Sequence, residues 1–307
     1  MVFSLTIASG CNRGSSPGQA STPQSTGTGA AVADVTQVLP EFGPARQIQP
    51  GIQFQETTLQ PQGIPMKVWL YYPEKATGKL ALVLVPPAGS TLIAGMDLSD
   101  GDRAEHYPYV KAGFAVASFE IDGHVPRGAV GDAALITGAR QFRDARAGLA
   151  NGQAALDLVL AKAANVDPKL IYVAGHSSAA TLALLMAEHE PRINACAAFA
   201  PVTDVEERLA KVIPDLERSM LGYKDFIHFS SPKTHADKLK CPLLLFHAAG
   251  DKNVPVRHSQ NFVDLVKKTN PDVTLIIARQ GGHYDSMINE GLPKGIAWLQ
   301  KQKKKSD

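Results

Sequence analysis

The sequence changes from an apolar strand to an apolar helix within a few residues, between positions 170 and 186. β-Branched and aromatic side chains fill the first half, and leucine and methionine recur at helical spacing in the second. The change falls at Gly175-His-Ser-Ser-Ala179, where small residues flank Ser177 and let strand and helix approach each other. A serine on such a turn is typical of a nucleophile elbow, although the usual G-x-S-x-G pattern ends in glycine rather than alanine. We therefore predict Ser177 as a nucleophile, and the alternative is that it only caps the helix.

Strands and helices alternate along the chain from about residue 47. Two runs at 53–59 and 66–72 predict a hairpin, and the continuous apolar run at 80–85 predicts a central strand buried on both faces. Further strands are predicted at 114–121, 170–174, 195–200, 243–246 and 273–278, and helices at 104–112, 140–163, 178–190, 259–268 and 292–302. This alternation predicts an α/β fold with a mostly parallel twisted sheet of about eight strands and helices on both faces.

The composition is typical of one large globular domain, since the 307 residues are 44% hydrophobic and 20% charged. The formal net charge is +2 and four lysines crowd into the last seven residues, so the body of the chain offers no basic surface for a nucleic acid. The three cysteines and nine histidines show no metal-binding spacing, and we predict neither a metal nor another cofactor. The sequence leaves the oligomeric state open.

The first residues differ in composition from the rest. Met1 to Ala8 form a short apolar run, and Ala8-Ser-Gly-Cys11 resembles a bacterial lipobox, in which the cysteine is lipidated after cleavage. No basic residue precedes the run, so the alternative to a truncated lipoprotein signal is an unprocessed tail. We expect a signal over 1–11, a disordered Gly/Ser/Thr/Pro-rich linker over 12–46, the folded domain over 47–302 and a basic tail over 303–307. The expected location is the cell envelope or the exterior, with a membrane tether through Cys11, and the cytoplasm is the alternative.

Two polar residues follow predicted strands where a catalytic acid and base are expected. Asp251 comes just after the buried strand at 243–246. His283 follows the strand at 273–278 and two glycines. Because the carboxyl ends of parallel strands lie at one edge of the sheet, both side chains are expected near Ser177. A neutral imidazole can take the serine proton while a carboxylate accepts its other N–H, so we predict Asp251 as acid and His283 as base, the alternative for each being an ordinary loop residue.

A backbone site for the negative charge that develops during acyl transfer is expected beside Ser177. Ser178, which follows the nucleophile, is predicted to donate its backbone N–H, and the loop after the strand at 80–85 is predicted to supply the second donor. Proline has no N–H, so Ala88 is the first residue after Pro86-Pro87 that can donate. Substrate contacts are predicted for three neighbours of these groups, Gly89, His176 and Tyr284.

These segments together resemble the α/β-hydrolases, and especially the catalytic domains of the prolyl oligopeptidase and dienelactone hydrolase branches. The resemblance covers residues 47–301 and rests on Gly175 to Ala179, the run from Ser231-Pro232 to the acid strand, His247 to Pro255, and Gly282-His283. It implies an α/β-hydrolase fold with Ser177, Asp251 and His283 as nucleophile, acid and base. Pro86-Pro87 stands where the family usually has His-Gly, and we expect no β-propeller before the domain, so peptide specificity is not implied.

We therefore expect a serine hydrolase that cleaves small-molecule carboxylic esters through an acyl-enzyme. One alternative is a prolyl oligopeptidase-like peptidase without a propeller, acting on short peptides, and the other is a non-catalytic binding module on the same fold. An intact serine, histidine and aspartate set argues against the binding module. The segment at 201–240 is long enough for a small helical cap, whose Met220, Tyr223, Phe226 and Phe229 either shape an apolar acyl pocket or pack in the core.

Overall fold

The strands form one sheet with a parallel centre and an antiparallel edge. The structure is a computed structural model and describes residues 38–126 and 132–306. In these residues the strands are β1 (Arg46–Gln49), β2 (Ile52–Leu59), β3 (Met66–Pro73), β4 (Leu80–Leu84), β5 (Ala115–Phe119), β6 (Val166–His176), β7 (Ala195–Phe199), β8 (Leu243–Ala248) and β9 (Val273–Ala278). Their order is β1-β2-β3-β5-β4-β6-β7-β8-β9, antiparallel from β1 to β5 and parallel from β5 onward. The mostly parallel sheet is confirmed, and β1 adds a strand to the predicted set.

Helices cover both faces of this sheet, as predicted. They are α1 (Arg103–Lys111), α2 (Asp132–Asp144), α3 (Leu149–Lys162), α4 (Ser178–His189), α5 (Val205–Leu209), α6 (Ile213–Ser219), α7 (Tyr223–Phe229), α8 (Arg257–Val266) and α9 (Leu292–Ser306). Apolar residues of α3, α4 and α8 pack on one face, and those of α1 and α9 pack on the other. All residues of β4, β5 and β7 are buried, because a parallel sheet between two helical layers has no wet face.

The helix predicted over 140–163 is wrong, because the structure has two helices there. Arg146 and Ala147 have positive φ values of 54° and 57°, and Gly148 follows with 86°. A Cβ on Gly148 would lie 2.9 Å from side-chain carbons of Ile121 and Leu182, so the chain turns tightly against the core at this point. The apolar spacing continues through the break, and the sequence pattern therefore conceals it.

The ends of the folded domain also differ from the predicted boundaries. Leu39 and Phe42, in the predicted linker, pack against the core, so the domain begins before residue 47. An apolar pair within a polar segment is not detected by a composition argument. At the other end α9 continues through Ser306 and takes in most of the predicted basic tail at 303–307. The predicted signal, with Cys11, lies outside the described residues.

The segment at 201–240 forms the predicted helical cap. It contains α5, α6, α7 and a 3₁₀ turn at Pro232–Lys238. Tyr223 and Phe226 are buried in the main core, and the Tyr223 hydroxyl donates to the Ile93 carbonyl at 2.9 Å. These side chains therefore pack in the core, which was the alternative to an apolar acyl pocket. Across the described ranges, no helix combines the length and the apolar character needed to cross a bilayer.

Candidate active site

Ser177 lies at the turn between β6 and α4 in an uncommon backbone conformation. Its φ is 58°, in the left-handed region, where a non-glycine residue costs about 1–3 kcal/mol. The turn is tight, since a Cβ on Gly175 would lie 2.5 Å from the carbonyl carbon of Ala179. The N–H of Ser177 donates to the Phe199 carbonyl on β7 at 2.9 Å. The serine is thus held at the carboxyl edge of the sheet, at the start of α4, and is only partly buried.

Asp251 lies in the loop after β8, and hydrogen bonds engage both of its carboxylate oxygens. Oδ1 accepts the backbone N–H groups of Asn253 at 2.8 Å and Val254 at 2.9 Å. Oδ2 accepts Nδ1–H of His283 at 2.6 Å. Burial raises the pKa of this carboxyl, but the hydrogen bonds from His283 and the two amides outweigh burial and hold the pKa below its usual 3.8. Asp251 is therefore ionised at neutral pH and acts only as an acceptor.

His283 has one nitrogen occupied and one free. Because Nδ1 donates to Asp251, Nε2 carries the lone pair of the neutral ring. Nε2 is buried and has no hydrogen-bond partner among the described residues. Burial lowers the pKa of the ring below 6.5, the hydrogen bond to Asp251 opposes this, and the nearby His176 adds to the lowering. The ring can therefore accept a proton at neutral pH, which is the property of a general base.

His176, the neighbour of Ser177, packs directly against His283. Their ring centroids lie 4.6 Å apart, and Nε2–H of His176 donates to the His283 carbonyl at 3.1 Å. His176 is 3% exposed, so it supports the loop of His283 from the protein side. The Tyr284 ring lies 5.8 Å from His176 and is 45% exposed. Of these two predicted substrate contacts, Tyr284 is the one that faces solvent.

His247 on β8 holds the acid loop, a role that the sequence reasoning did not assign. Its Nε2 lies 2.9 Å from the Val254 carbonyl and 3.4 Å from Oδ2 of Asp251. Its Nδ1 lies 2.8 Å from the Ser259 hydroxyl on α8. Burial lowers the pKa of this histidine, partly offset by its bond to Val254. A histidine four residues before the acid, inside an apolar strand, was the available signal for such a support.

Glu105 on α1 is a second side chain that sequence reasoning missed. Its Oε1 lies 3.7 Å from Nδ1 of His176, although the two residues are distant in sequence. No local pattern around Glu105 points to this edge of the sheet, so only the folded structure reveals it. His258, the other histidine that follows Asp251 in the sequence, is buried and accepts the Asp204 N–H through Nδ1 at 3.4 Å.

The loop after β4 is bonded to the side chain of Ser178. The N–H groups of Gly89 and Ser90 donate to Oγ of Ser178 at 2.9 and 3.0 Å. In contrast, the N–H groups of Ala88 and Ser178 make no hydrogen bond to another described residue. The two amides predicted as oxyanion donors are thus unoccupied, while the amide of Gly89 is engaged within the protein.

A narrow apolar cavity lies beside Ser178 and has room for about one water molecule. Leu92, Ile121, Phe142 and Leu182 form much of its wall. Within 38–126 and 132–306, no three metal-ligating side chains lie close enough together to hold a metal ion. The functional groups near this edge of the sheet are the hydroxyl of Ser177, the imidazole of His283, the carboxylate of Asp251 and backbone amides.

Several solved structures share this fold. A protein assigned as a dienelactone hydrolase from Klebsiella pneumoniae subsp. pneumoniae MGH 78578 has a TM-score of 0.63 at 16% identity, covering 81% of this chain and 99% of that one. A cold-adapted esterase from an Arctic intertidal metagenomic library has a TM-score of 0.62 at 17% identity, covering 85% and 97%. Oligopeptidase B from Leishmania major has 0.62 at 16%, covering 84% of this chain and 37% of its own. The search of curated proteins gave no match.

The structural likenesses, at these low identities, confirm the α/β-hydrolase fold. Family membership rests on a separate comparison, in which the model of the prolyl oligopeptidase family matches residues 103–306. This range is well over half of the 307 residues and includes Ser177, Asp251 and His283. The chain therefore belongs to the prolyl oligopeptidase family of serine hydrolases.

Proposed function

We propose that the chain hydrolyses small carboxylic esters through an acyl-enzyme, with Ser177 as nucleophile, His283 as base and Asp251 as the residue that orients the base. The observation that carries this proposal is the 2.6 Å hydrogen bond from Nδ1 of His283 to Asp251, which leaves Nε2 as a buried acceptor without a partner. An imidazole in that tautomer takes up a proton through Nε2. The φ of 58° at Ser177 supports the assignment, because nucleophile elbows hold their serine on such a strained turn.

The reaction then proceeds in two halves. Oγ of Ser177 attacks the carbonyl carbon as its proton moves to Nε2 of His283. The carbonyl oxygen becomes negative and accepts hydrogen bonds from the free N–H groups of Ala88 and Ser178. His283 passes the proton to the departing alcohol, which leaves an acyl ester on Ser177. A water molecule repeats these steps and releases the acid, while Asp251 stays ionised throughout.

Two observations favour short acyl esters as substrates. The segment at 201–240 contains only three short helices and a 3₁₀ turn and can enclose at most a modest pocket, and each buried methylene adds about 0.8 kcal/mol of binding only until such a pocket is full. An esterase is also among the solved structures that share the fold, and the alignment spans 97% of it, against 37% of oligopeptidase B. A short acyl group is therefore the best fit.

A substrate series tests this proposal. We expect kcat/KM to fall from p-nitrophenyl acetate to butyrate to octanoate, and every ester to exceed alanine- and proline-linked p-nitroanilides. p-Nitrophenolate leaves without being protonated, whereas the amine of an anilide needs a proton, so leaving-group chemistry places the esters above the anilides. Pocket size sets the order among the esters. Ser177→Ala is the control that excludes background hydrolysis. Faster cleavage of any anilide than of all three esters would contradict the esterase hypothesis.

The peptidase alternative is favoured by the family model itself, which is that of the prolyl oligopeptidases. It uses the same three residues and differs only in the bond cleaved. Reaction with a fluorophosphonate probe distinguishes the esterase and peptidase hypotheses from the binding module, because the probe requires an activated serine. A folded wild-type protein that takes up no label at Ser177 would favour the binding module.

We also propose that the protein is tethered to the cell envelope through a lipid on Cys11. The support is the resemblance of Ala8-Ser-Gly-Cys11 to a lipobox, followed by a polar segment suited to a tether. Expressed in a bacterium behind a complete signal, the protein is expected to partition with membranes, and Cys11→Ser is expected to release it. Several acyl chains anchor a protein far more firmly than one. Equal partition of both forms would support the cytoplasmic alternative.

A further inference from the structure

The hydroxyl oxygen of Ser178 accepts two consecutive amides from a loop far away in sequence. Gly89 donates at 2.9 Å across 89 positions, and Ser90 donates at 3.0 Å across 88. Ser178 is 7% exposed, so water competes little for these bonds. In the described part of the chain, no further hydrogen bond links residues 86–94 to the elbow. The Ser178 side chain is therefore the polar connection between the two segments.

The loop that Ser178 holds is already rigid within itself. Pro86 and Pro87 fix their own φ angles and offer no N–H. On the far side, the Ser90 hydroxyl donates to the Ala94 carbonyl at 2.6 Å and accepts the Leu92 N–H at 3.0 Å. Ala88 lies between these two halves, and its amide has no acceptor within residues 38–126 and 132–306. A single attachment point is thus enough to set where that amide lies.

We propose that Ser178 is a positioning residue that assembles the oxyanion hole: its amide is one donor, and its hydroxyl holds the loop that carries the other, Ala88. Consecutive Cα atoms are about 3.8 Å apart, so Ala88 lies within one residue's length of Gly89, whose amide is held on Oγ of Ser178. The inference rests on the proposed function, because only a developing oxyanion gives the two free amides a shared task. It also explains how Pro86-Pro87 is compatible with a second donor in this loop.

The kinetic test compares three variants of buried serines. Ser178→Ala keeps the elbow amide but removes the clamp, and we expect kcat for p-nitrophenyl acetate to fall about 10–100-fold with KM nearly unchanged, since the oxyanion exists only in the transition state. Ser178→Thr retains a hydroxyl and is expected to recover most of that loss. Ser118→Ala is the matched control, because Ser118 is buried on β5 and its hydroxyl has no partner among the described residues.

Hydrogen exchange measures the clamp independently of turnover. The amides of Gly89 and Ser90 are expected to exchange at least about tenfold faster in Ser178→Ala, and at the wild-type rate in Ser118→Ala. Should Ser178→Ala fail to fold, Ser178→Cys keeps the size of the side chain and weakens both bonds, and it is expected to shift exchange and kcat in the same direction by less.

The outcomes separate this inference from the proposed function. Unchanged exchange in Ser178→Ala overturns the clamp, and so does a loss of activity that appears in KM alone or that threonine fails to rescue. Protected amides in a wild-type protein that hydrolyses none of the esters would instead reject the proposed function, and the catalytic part of this inference with it. Three results together support the inference. The Gly89 and Ser90 amides exchange slowly in wild type, they exchange fast in Ser178→Ala, and the loss of activity in that variant appears in kcat.

Discussion

The two ends of α4 each carry a pair of packed histidines, and the surroundings of the two pairs differ. At the amino end the rings of His176 and His283 lie 4.6 Å apart, and at the carboxyl end those of His189 and His235 lie 4.5 Å apart. In the first pair, His283 donates through Nδ1 to Asp251 at 2.6 Å. In the second pair, His235 bonds only a backbone carbonyl, and Nε2 of His189 has no partner in the described ranges. Close imidazoles therefore do not by themselves indicate a catalytic site.

Each end of α4 also has a buried carboxyl group, and the hydrogen bonding of the two carboxyl groups differs. Three hydrogen bonds keep Asp251 ionised although it is buried. Glu188, beside His189, is also buried, but neither of its oxygens has a hydrogen-bond partner in the described residues. Burial raises the pKa of Glu188 well above its ordinary value, against the opposing charge of Lys238, and so favours the neutral form of this carboxyl. A buried acid can orient a base only when other donors keep it charged.

Removal of the nucleophile or of the histidine of the first pair that acts as base is expected to lower turnover most. Ser177→Ala and His283→Ala are each expected to lower kcat about 10⁴–10⁶-fold, and the double variant to be little worse, since nucleophile and base act as a unit. His235→Ala removes a ring of the second pair and is expected to change kcat/KM less than about threefold, because the length of α4 separates that end of the helix from Ser177 by roughly 18 Å. Steady-state rates on p-nitrophenyl acetate, with circular dichroism as the fold check, measure both.

Two results would contradict this assignment. A loss in His235→Ala as deep as that in His283→Ala would mean that the carboxyl end of α4 takes part in the reaction. Abolition of turnover by His258→Ala, with His283→Ala still active, would show that the base had been assigned to the wrong histidine.

A smaller effect is expected from the two carboxyl groups. Asp251→Asn leaves an amide facing Nδ1 of His283, which favours the wrong tautomer and is expected to lower kcat about 10³–10⁴-fold. Glu188→Gln replaces a carboxyl whose neutral form is favoured by burial with a neutral amide, and it is expected to leave kcat within about twofold. Pre-steady-state acylation rates distinguish the two variants. Equal losses would remove the contrast between the two acids.

The positions of the candidate residues near the amino-terminal end of α4 can be predicted from the sequence because each of them follows a strand. Ser177, Asp251 and His283 all come just after apolar runs, and the parallel topology brings those run ends to one edge. What the sequence does not contain is the direction of a side chain around a turn. That direction decides that His176 packs under the base loop and that the Ser178 hydroxyl holds Gly89. Both facts depend on contacts between segments far apart in the chain.

The pKa of His283 can be tested through the pH dependence of turnover. Burial lowers the pKa of His283 below 6.5 despite its bond to Asp251, so the free base persists below that pH. We expect the acid limb of kcat/KM to have its midpoint below pH 6.5 and to fall about tenfold per pH unit beyond it. Initial rates in constant-ionic-strength buffers give the midpoint. A midpoint above 6.5 would mean that another group controls the limb.

The weakest effect is expected for His189, at the carboxyl end of α4, and it concerns the free energy of unfolding. Burial lowers the pKa of His189 to about 4, and the charges of His235, Lys238 and Arg146 add to the shift. A histidine whose folded pKa lies below its unfolded value of 6.5 takes up its proton first in the unfolded chain. Its contribution to the free energy of unfolding is therefore complete above pH 6.5 and is lost as the pH falls from 6.5 toward about 4.

His189→Gln is expected to remove this part of the acid sensitivity, by about 1 kcal/mol once the partial exposure of the ring is allowed for. Urea unfolding of wild type and variant at several pH values through that window gives the difference in slope. Above pH 6.5 the difference between wild type and variant is expected to be constant, which is the internal control. His106, whose pKa burial lowers to about 3, acts in the same direction in both proteins and cancels in the comparison. Identical slopes of unfolding free energy against pH for wild type and His189→Gln would contradict this prediction. They would mean that the second pair is uncharged in both the folded and the unfolded state, or accessible to solvent in both. The contrast between the two ends of α4 would then rest on the carboxyl groups alone.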